Sequence, residues 1–134
     1  MPDLHLIRSP RLTHANYADA AIVRANQEIV YLAGLCPLDG DGQVVAPGDI
    51  ATQTRQALSN MDEVLMRCRV GHEDVAFLRV LVVATEPEQL SIAWAVVSEH
   101  FGSYEVPATL QGVPILGYQN QLVEIEPVAA RPPR

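Results

Sequence analysis

The chain has no lysine; its nine basic residues are all arginine and face sixteen acidic ones, for a formal charge of −7 over 134 residues. That balance disfavours general binding to nucleic acid, because phosphate contacts need clustered cations. Aromatic residues are scarce, at 5%. The two cysteines, Cys36 and Cys68, are too distant for a CxxC pair and too few for a disulfide framework, so they read as reduced thiols. The histidines at 5, 14, 72 and 100 are scattered with no close pair, so neither a metal site nor a cofactor is expected from their spacing. No apolar run approaches the roughly 18 residues of a membrane span. The opening MPDLHLIRSP reaches Arg8 and Pro10 before an apolar leader can form. These absences point to a cytoplasmic protein without a membrane partner.

What is present is apolar matter. Hydrophobic residues make up 49% of the chain and charged ones 19%, which suits one compact domain over residues 1–134 with a real core. The Pro-rich tail over 130–134 is expected to fray. A short strand is expected around His5 to Arg8, and the Ile/Val-rich segments Ala20 to Ala25 and Glu28 to Gly34, split by Asn26-Gln27, read as a hairpin. Asp49 is a sensible N-cap for a helix from Ile50 to about Arg69, whose Ala57, Leu58, Met61, Val64, Leu65 and Cys68 form one apolar face. Val75 to Ala84 is a nearly continuous apolar run of strand length. Thr85-Glu86-Pro87-Glu88 reads as a capping box opening a second helix, with the stripe Leu90, Ala93, Trp94, Val97 and Phe101 ending at Gly102. Pro107 to Val113 and Gln121 to Ala129 complete the set as two strands.

This order predicts an α+β fold, a mixed sheet with both helices on one face. Ala20 to Val23, Ile29 to Ala33 and Val80 to Val83 offer apolar groups to both faces, and two helices shield only one. The natural cover for the second face is another copy of the chain, so a homo-oligomer is expected.

Gly34-Leu35-Cys36-Pro37-Leu38-Asp39, Gly48-Asp49-Ile50, Gln53-Thr54-Arg55-Gln56-Ala57-Leu58 with Asn60, Pro107-Ala108, and Leu122-Val123-Glu124-Ile125-Glu126 together resemble the Rid family, also called YjgF or endoribonuclease L-PSP. The resemblance runs from about Tyr17 to Ala129. It implies a chorismate-mutase-like fold, a homotrimer with a central barrel, and a small-molecule cleft at each subunit interface. It also implies hydrolysis of reactive enamines or imines, with Glu124 and Tyr17 as the catalytic residues and Ala33, Gly34, Trp94, Thr109 and Gln111 lining the pocket. Where the family carries Pro-Ala-Arg, whose planar guanidinium grips a substrate carboxylate, this chain has Pro107-Ala108-Thr109. A charge-assisted hydrogen bond of that kind contributes about 1.5 to 3 kcal/mol, so weak turnover of 2-imino acids is expected. Arg24 and Arg79 are other strand arginines, and their spacing selects neither as a replacement.

Alternation places Glu124 and Glu126 on one face of their strand, where Glu124 is suited to activate a water that attacks a C=N carbon. Thr109 and Gln111 share a face of theirs and could form a neutral pocket. The leading reading is therefore a trimer that hydrolyses, or at least binds, a small imine, enamine or carbonyl compound with no obligatory carboxylate. A non-catalytic regulatory trimer is the alternative, and a ribonuclease is the least favoured.

Overall fold

The computed structural model describes residues 4–13 and 15–133. His14, weighed above as a ligand, and Arg134, the end of the expected frayed tail, lie outside the described residues. Strands β1 (Leu4–Ile7) and β2 (Ala20–Val23) pair antiparallel as a two-stranded ribbon. Strands β3 (Glu28–Tyr31), β4 (Val75–Val83), β5 (Ala108–Val113) and β6 (Val123–Arg131) form a sheet in the order β3-β6-β4-β5. Helices α1 (Ile50–Arg67) and α2 (Pro87–Phe101) complete the chain with a 3-10 turn at His72–Asp74.

The expected hairpin between β2 and β3 does not form. The two strands separate at Asn26, whose φ of 67° turns the chain. β2 takes β1 as its partner, while β3 takes the edge of β6, with Tyr31 opposite Val128. The ribbon is tied down by an ion pair between Arg8 and Glu105 and by the Ala18 amide donating to the Glu105 carbonyl at 2.9 Å. β6 continues past its expected end to Arg131, where the guanidinium meets Glu28 at 2.9 Å and the Cys68 carbonyl at 2.7 Å.

Helix α1 starts where the sequence says it should. The Asp49 carboxylate accepts from the Thr52 amide at 3.0 Å and its hydroxyl at 2.7 Å, satisfying an otherwise unpaired N–H of the first turn. These bonds, the amide one first, hold the Asp49 carboxyl below the usual carboxylate range. Helix α2 corrects the expected capping box by one residue. Pro87 occupies the first helical position, where its missing N–H costs nothing. The N-cap is therefore Glu86, and the Gln89 side chain, not Glu88, accepts from the Glu86 and Thr85 amides at 3.0 and 2.8 Å.

Both helices pack on one face of the sheet. Ala57, Leu58, Met61 and Leu65 of α1 and Ala93, Val97 and Phe101 of α2 close over Leu78, Val80, Val82, Val123 and Ile125, all buried. The opposite face carries Tyr31, Ile29, Arg79, Thr109 and Gln111, all exposed, and half-buried Phe77, Leu81 and Val128. Tyr31 is 79% exposed, a large value for an aromatic on a sheet. Among the described residues, no helix is long and apolar enough to cross a membrane.

Candidate active site

Three buried or half-buried amide side chains of α1 fix the segments around the site, two of them the one that carries Gly34 and Cys36. Asn60 of α1 donates to the Cys36 and Leu38 carbonyls, both at 2.9 Å, and Gln56 donates to Leu38 at 3.2 Å. Gln53, fully buried, donates to the Ala46 and Asn120 carbonyls and accepts from the Leu122 amide at 2.7 Å. One helix thus clamps both the 34–38 segment and the turn that leads into β6. Leu35 exchanges both backbone hydrogen bonds with Ile125, at 2.7 and 3.0 Å, which brings Gly34 against Glu124.

The approach is close enough that any side chain at position 34 would displace the Glu124 carboxylate. A Cβ at Gly34 would stand 2.6 Å from Oε2 of Glu124 and 2.7 Å from its carboxyl carbon. The other oxygen, Oε1, accepts from the Cys36 thiol at 3.4 Å and from the Gln121 side-chain amide at 3.3 Å. Burial first, and then the hydrogen bond to the Glu124 carboxylate and its charge, push the Cys36 thiol from its ordinary 9.0 up to about 11. At neutral pH it is a neutral donor, in keeping with the reduced thiol expected. Glu124 is therefore held by neutral groups, and no cation is paired with it by salt bridge among the described residues.

Strand register arranges the rest of this face in rows. Leu81 of β4 pairs with Gln111 of β5 on one side and with Glu124 of β6 on the other. In the next row Arg79 pairs with Thr109 and with Glu126. Side chains paired across a sheet share a face, so Glu124, Gln111, Thr109 and Arg79 surround Leu81. The sequence showed no guanidinium at position 109; the structure puts one directly beside it, one strand over. Arg79 is exposed and forms no ion pair among the described residues, and its guanidinium carbon lies 6.0 Å from the Phe77 ring centroid. Diagonal neighbours such as Arg79 and Glu124 sit roughly 7–8 Å apart at the backbone, the length of a small metabolite. Arg24 lies just past β2, in the separate ribbon.

Tyr17 and Trp94 are brought together, but elsewhere. Their rings meet edge to face at 6.1 Å, and the Trp94 indole donates to the Asn16 side chain at 2.9 Å. They line a shallow depression with Ala108 and Leu110, the residues that alternate with Thr109 and Gln111 and so face the other way. Within one protomer Tyr17 and Trp94 are thus separated by β5 from the Glu124 face. Ala33 is exposed beside Gly34. The spacing of the sequence did not reveal Arg79 or Gln121, because strand neighbours depend on register; Gln121, only three positions from Glu124, was the more findable of the two.

An α+β sheet of this topology, with an anchored carboxylate on its uncovered face, is the chorismate-mutase-like architecture of the YjgF and Rid proteins. The chain matches the family described as Endoribonuclease L-PSP over residues 8–131, and it belongs to that family, the Rid family. YyfB of Yersinia pestis, a member of the conserved Rid protein family, superimposes with a TM-score of 0.89 at 25% identity, covering 96% of this chain and 99% of that one. Yeast Mmf1 shares the fold at a TM-score of 0.68 and 21% identity, covering 94% of this chain and 97% of its own. The chain is also similar to the 3-aminoacrylate deaminase RutC of Acinetobacter baylyi, 37% identical over 54 residues. That match takes in 40% of this chain and 43% of the relative.

Proposed function

We propose that the protein hydrolyses a small imine or enamine metabolite, with Glu124 as the general base, and that it does so as a homotrimer whose clefts form on the uncovered sheet face. The observation that carries this reading is the fixed Glu124 carboxylate, bonded among the described residues by neutral donors and set on the face of the sheet that the helices leave uncovered. Likeness to a deaminase of 3-aminoacrylate supports the substrate class.

The chemistry balances with this chain's residues and solvent. An enamine first takes a proton from solvent at carbon to become an iminium ion. Water then adds to the C=N carbon while Glu124 accepts a proton from it, giving a carbinolamine. Glu124 passes that proton to nitrogen, the C–N bond breaks, and ammonia leaves as the carbinolamine hydroxyl returns its proton to solvent and becomes the carbonyl. Gln111 and Thr109 offer neutral hydrogen bonds to the substrate, and Arg79 faces any carboxylate it carries. Because Glu126 lies directly opposite Arg79, that guanidinium is a weaker anchor than an arginine at position 109, and 2-imino acids remain slow substrates. Tyr17 and Trp94 enter a cleft only from an adjoining protomer. The face sets Glu124 and Glu126 against a single arginine in its rows, which supports a metabolite rather than an RNA ligand.

The test is ammonia release from freshly generated 2-aminoacrylate and 2-iminobutanoate, alongside light scattering of the purified protein. Turnover lost in Glu124→Gln, in a trimer of unchanged size, is expected. A stable monomer, or turnover indifferent to Glu124→Gln, overturns the reading. Parent protein with no turnover on any C=N compound but tight metabolite binding favours the regulatory alternative.

A further inference from the structure

The fold gathers two of the scattered histidines. Asp62 of α1, His72 of the 3-10 turn and His100 in the last turn of α2 meet on the outer side of the helical layer, remote in sequence and on the opposite side of the sheet from the Glu124 face. One Asp62 oxygen lies 2.7 Å from Nε2 of His72, and the other lies 2.8 Å from Nε2 of His100. Both imidazoles therefore aim the same ring nitrogen at one carboxylate, and all three ligand atoms fall within 4.8 Å of one another.

We propose that Asp62, His72 and His100 bind a divalent transition-metal ion of the zinc type. Two imidazoles and a carboxylate are a donor set that zinc accepts, at bonds of about 2.0–2.2 Å, which place tetrahedral ligand atoms roughly 3.3 Å apart. The Asp62–His72 and Asp62–His100 distances of 2.7 and 2.8 Å need to lengthen by only about half an ångström to reach that spacing. The side chains are already oriented. The His72 and His100 rings lie 5.0 Å apart, and Phe101 packs against His72 at 5.0 Å. The turn that carries His72 is closed by the Asp74 carboxylate accepting from the Gly71 amide at 2.8 Å. The side chains of Asp62, His72 and His100 keep 40%, 32% and 28% of their surface, so an ion can enter and a fourth position stays open to solvent. The groove beside it is lined by Met66, Val70 and Gly71, with Arg69 as its one opposing charge, and the acidic chain as a whole favours cation approach. An ion here ties α1 to α2 and to the turn that leads into β4. It is a structural staple, independent of the proposed hydrolysis.

The test uses the full-length protein, freed of metal with chelator and carrying Cys36→Ser and Cys68→Ser so that thiols do not compete. Zinc chloride is titrated by calorimetry at pH 7.5, Co2+ serves as a spectroscopic probe, and melting temperature is followed with and without zinc. The expected result is one ion per chain, a tetrahedral Co2+ absorption band and a raised melting temperature, because an ion bound only by the folded state stabilises it. His72→Gln, His100→Gln and Asp62→Asn should each weaken binding on the order of tenfold or more. No zinc-dependent rise in melting temperature, or affinity in all three variants equal to the parent's, overturns the site and leaves the trio a hydrogen-bonded bridge. Should a variant fold poorly, nitrogen NMR of the histidine rings in the parent decides: zinc must shift Nε2 of both His72 and His100.

Discussion

Glu124 and Asp62 are both half-buried carboxylates, yet their surroundings differ in kind. Glu124 receives a thiol and an amide, neutral donors that orient the group without neutralising its charge. Asp62 sits between two imidazoles, groups able to share a cation with it. The first arrangement is the one proposed above to serve hydrolysis; the second is the one proposed to hold an ion. Position in the fold matches that division, with Glu124 on the uncovered sheet face and Asp62 on the helical side.

The comparison breaks most sharply at Glu124. Glu124→Gln keeps the shape and removes the base, and hydrolysis should fall by about a hundredfold or more, while zinc binding stays as in the parent. Next in size is Arg79→Ala, which should lower kcat/KM by roughly tenfold to a hundredfold for substrates with a carboxylate and leave uncharged imines unaffected. A paired assay of the two substrate types measures that difference. Gly34→Ala sharpens the comparison from the steric side. Its Cβ meets the Glu124 carboxylate at 2.6 Å, so the base must move, and a loss of roughly tenfold is expected from misplacement on the order of an ångström, with Asp62 untouched.

The smallest effect is one of pH. Because the folded state raises the Cys36 thiol to about 11 from 9.0, its protonated form favours the native state below pH 9, and that contribution is lost as pH rises through 11. Urea unfolding between pH 7 and 11 should show a steeper decline in the parent than in Cys36→Ser. Tyr104, pushed up to about 12 by burial and then by Asp74 and Glu73, declines in both and serves as an internal reference.

Local signals in the chain carried both helices, because caps and apolar stripes are read over a few residues. Asp49 starts α1 as expected, and Pro87 was the better guide to α2 than the Thr85 to Glu88 pattern, since proline fixes the first helical position. Pairing partners were harder. β2 and β3 are adjacent in sequence and equally rich in Ile and Val, and nothing local said that each would prefer a distant edge. The same limit hid Arg79 beside Thr109 and His72 beside His100, neighbours made by register and helix packing rather than by spacing. Glu124 and Gly34 were singled out by family likeness where periodicity alone left the choice open, and the structure sets them side by side.

Strands β4 and β5 run parallel, joined by α2 and the Gly102 to Pro107 connection. Facing in a strand alternates with every residue, and a strand with one packed face is held in register, so the packing of Ala108 and Leu110 against the core keeps Thr109 and Gln111 on the solvent side. The apolar residues behind the sheet thus choose which polar groups it presents.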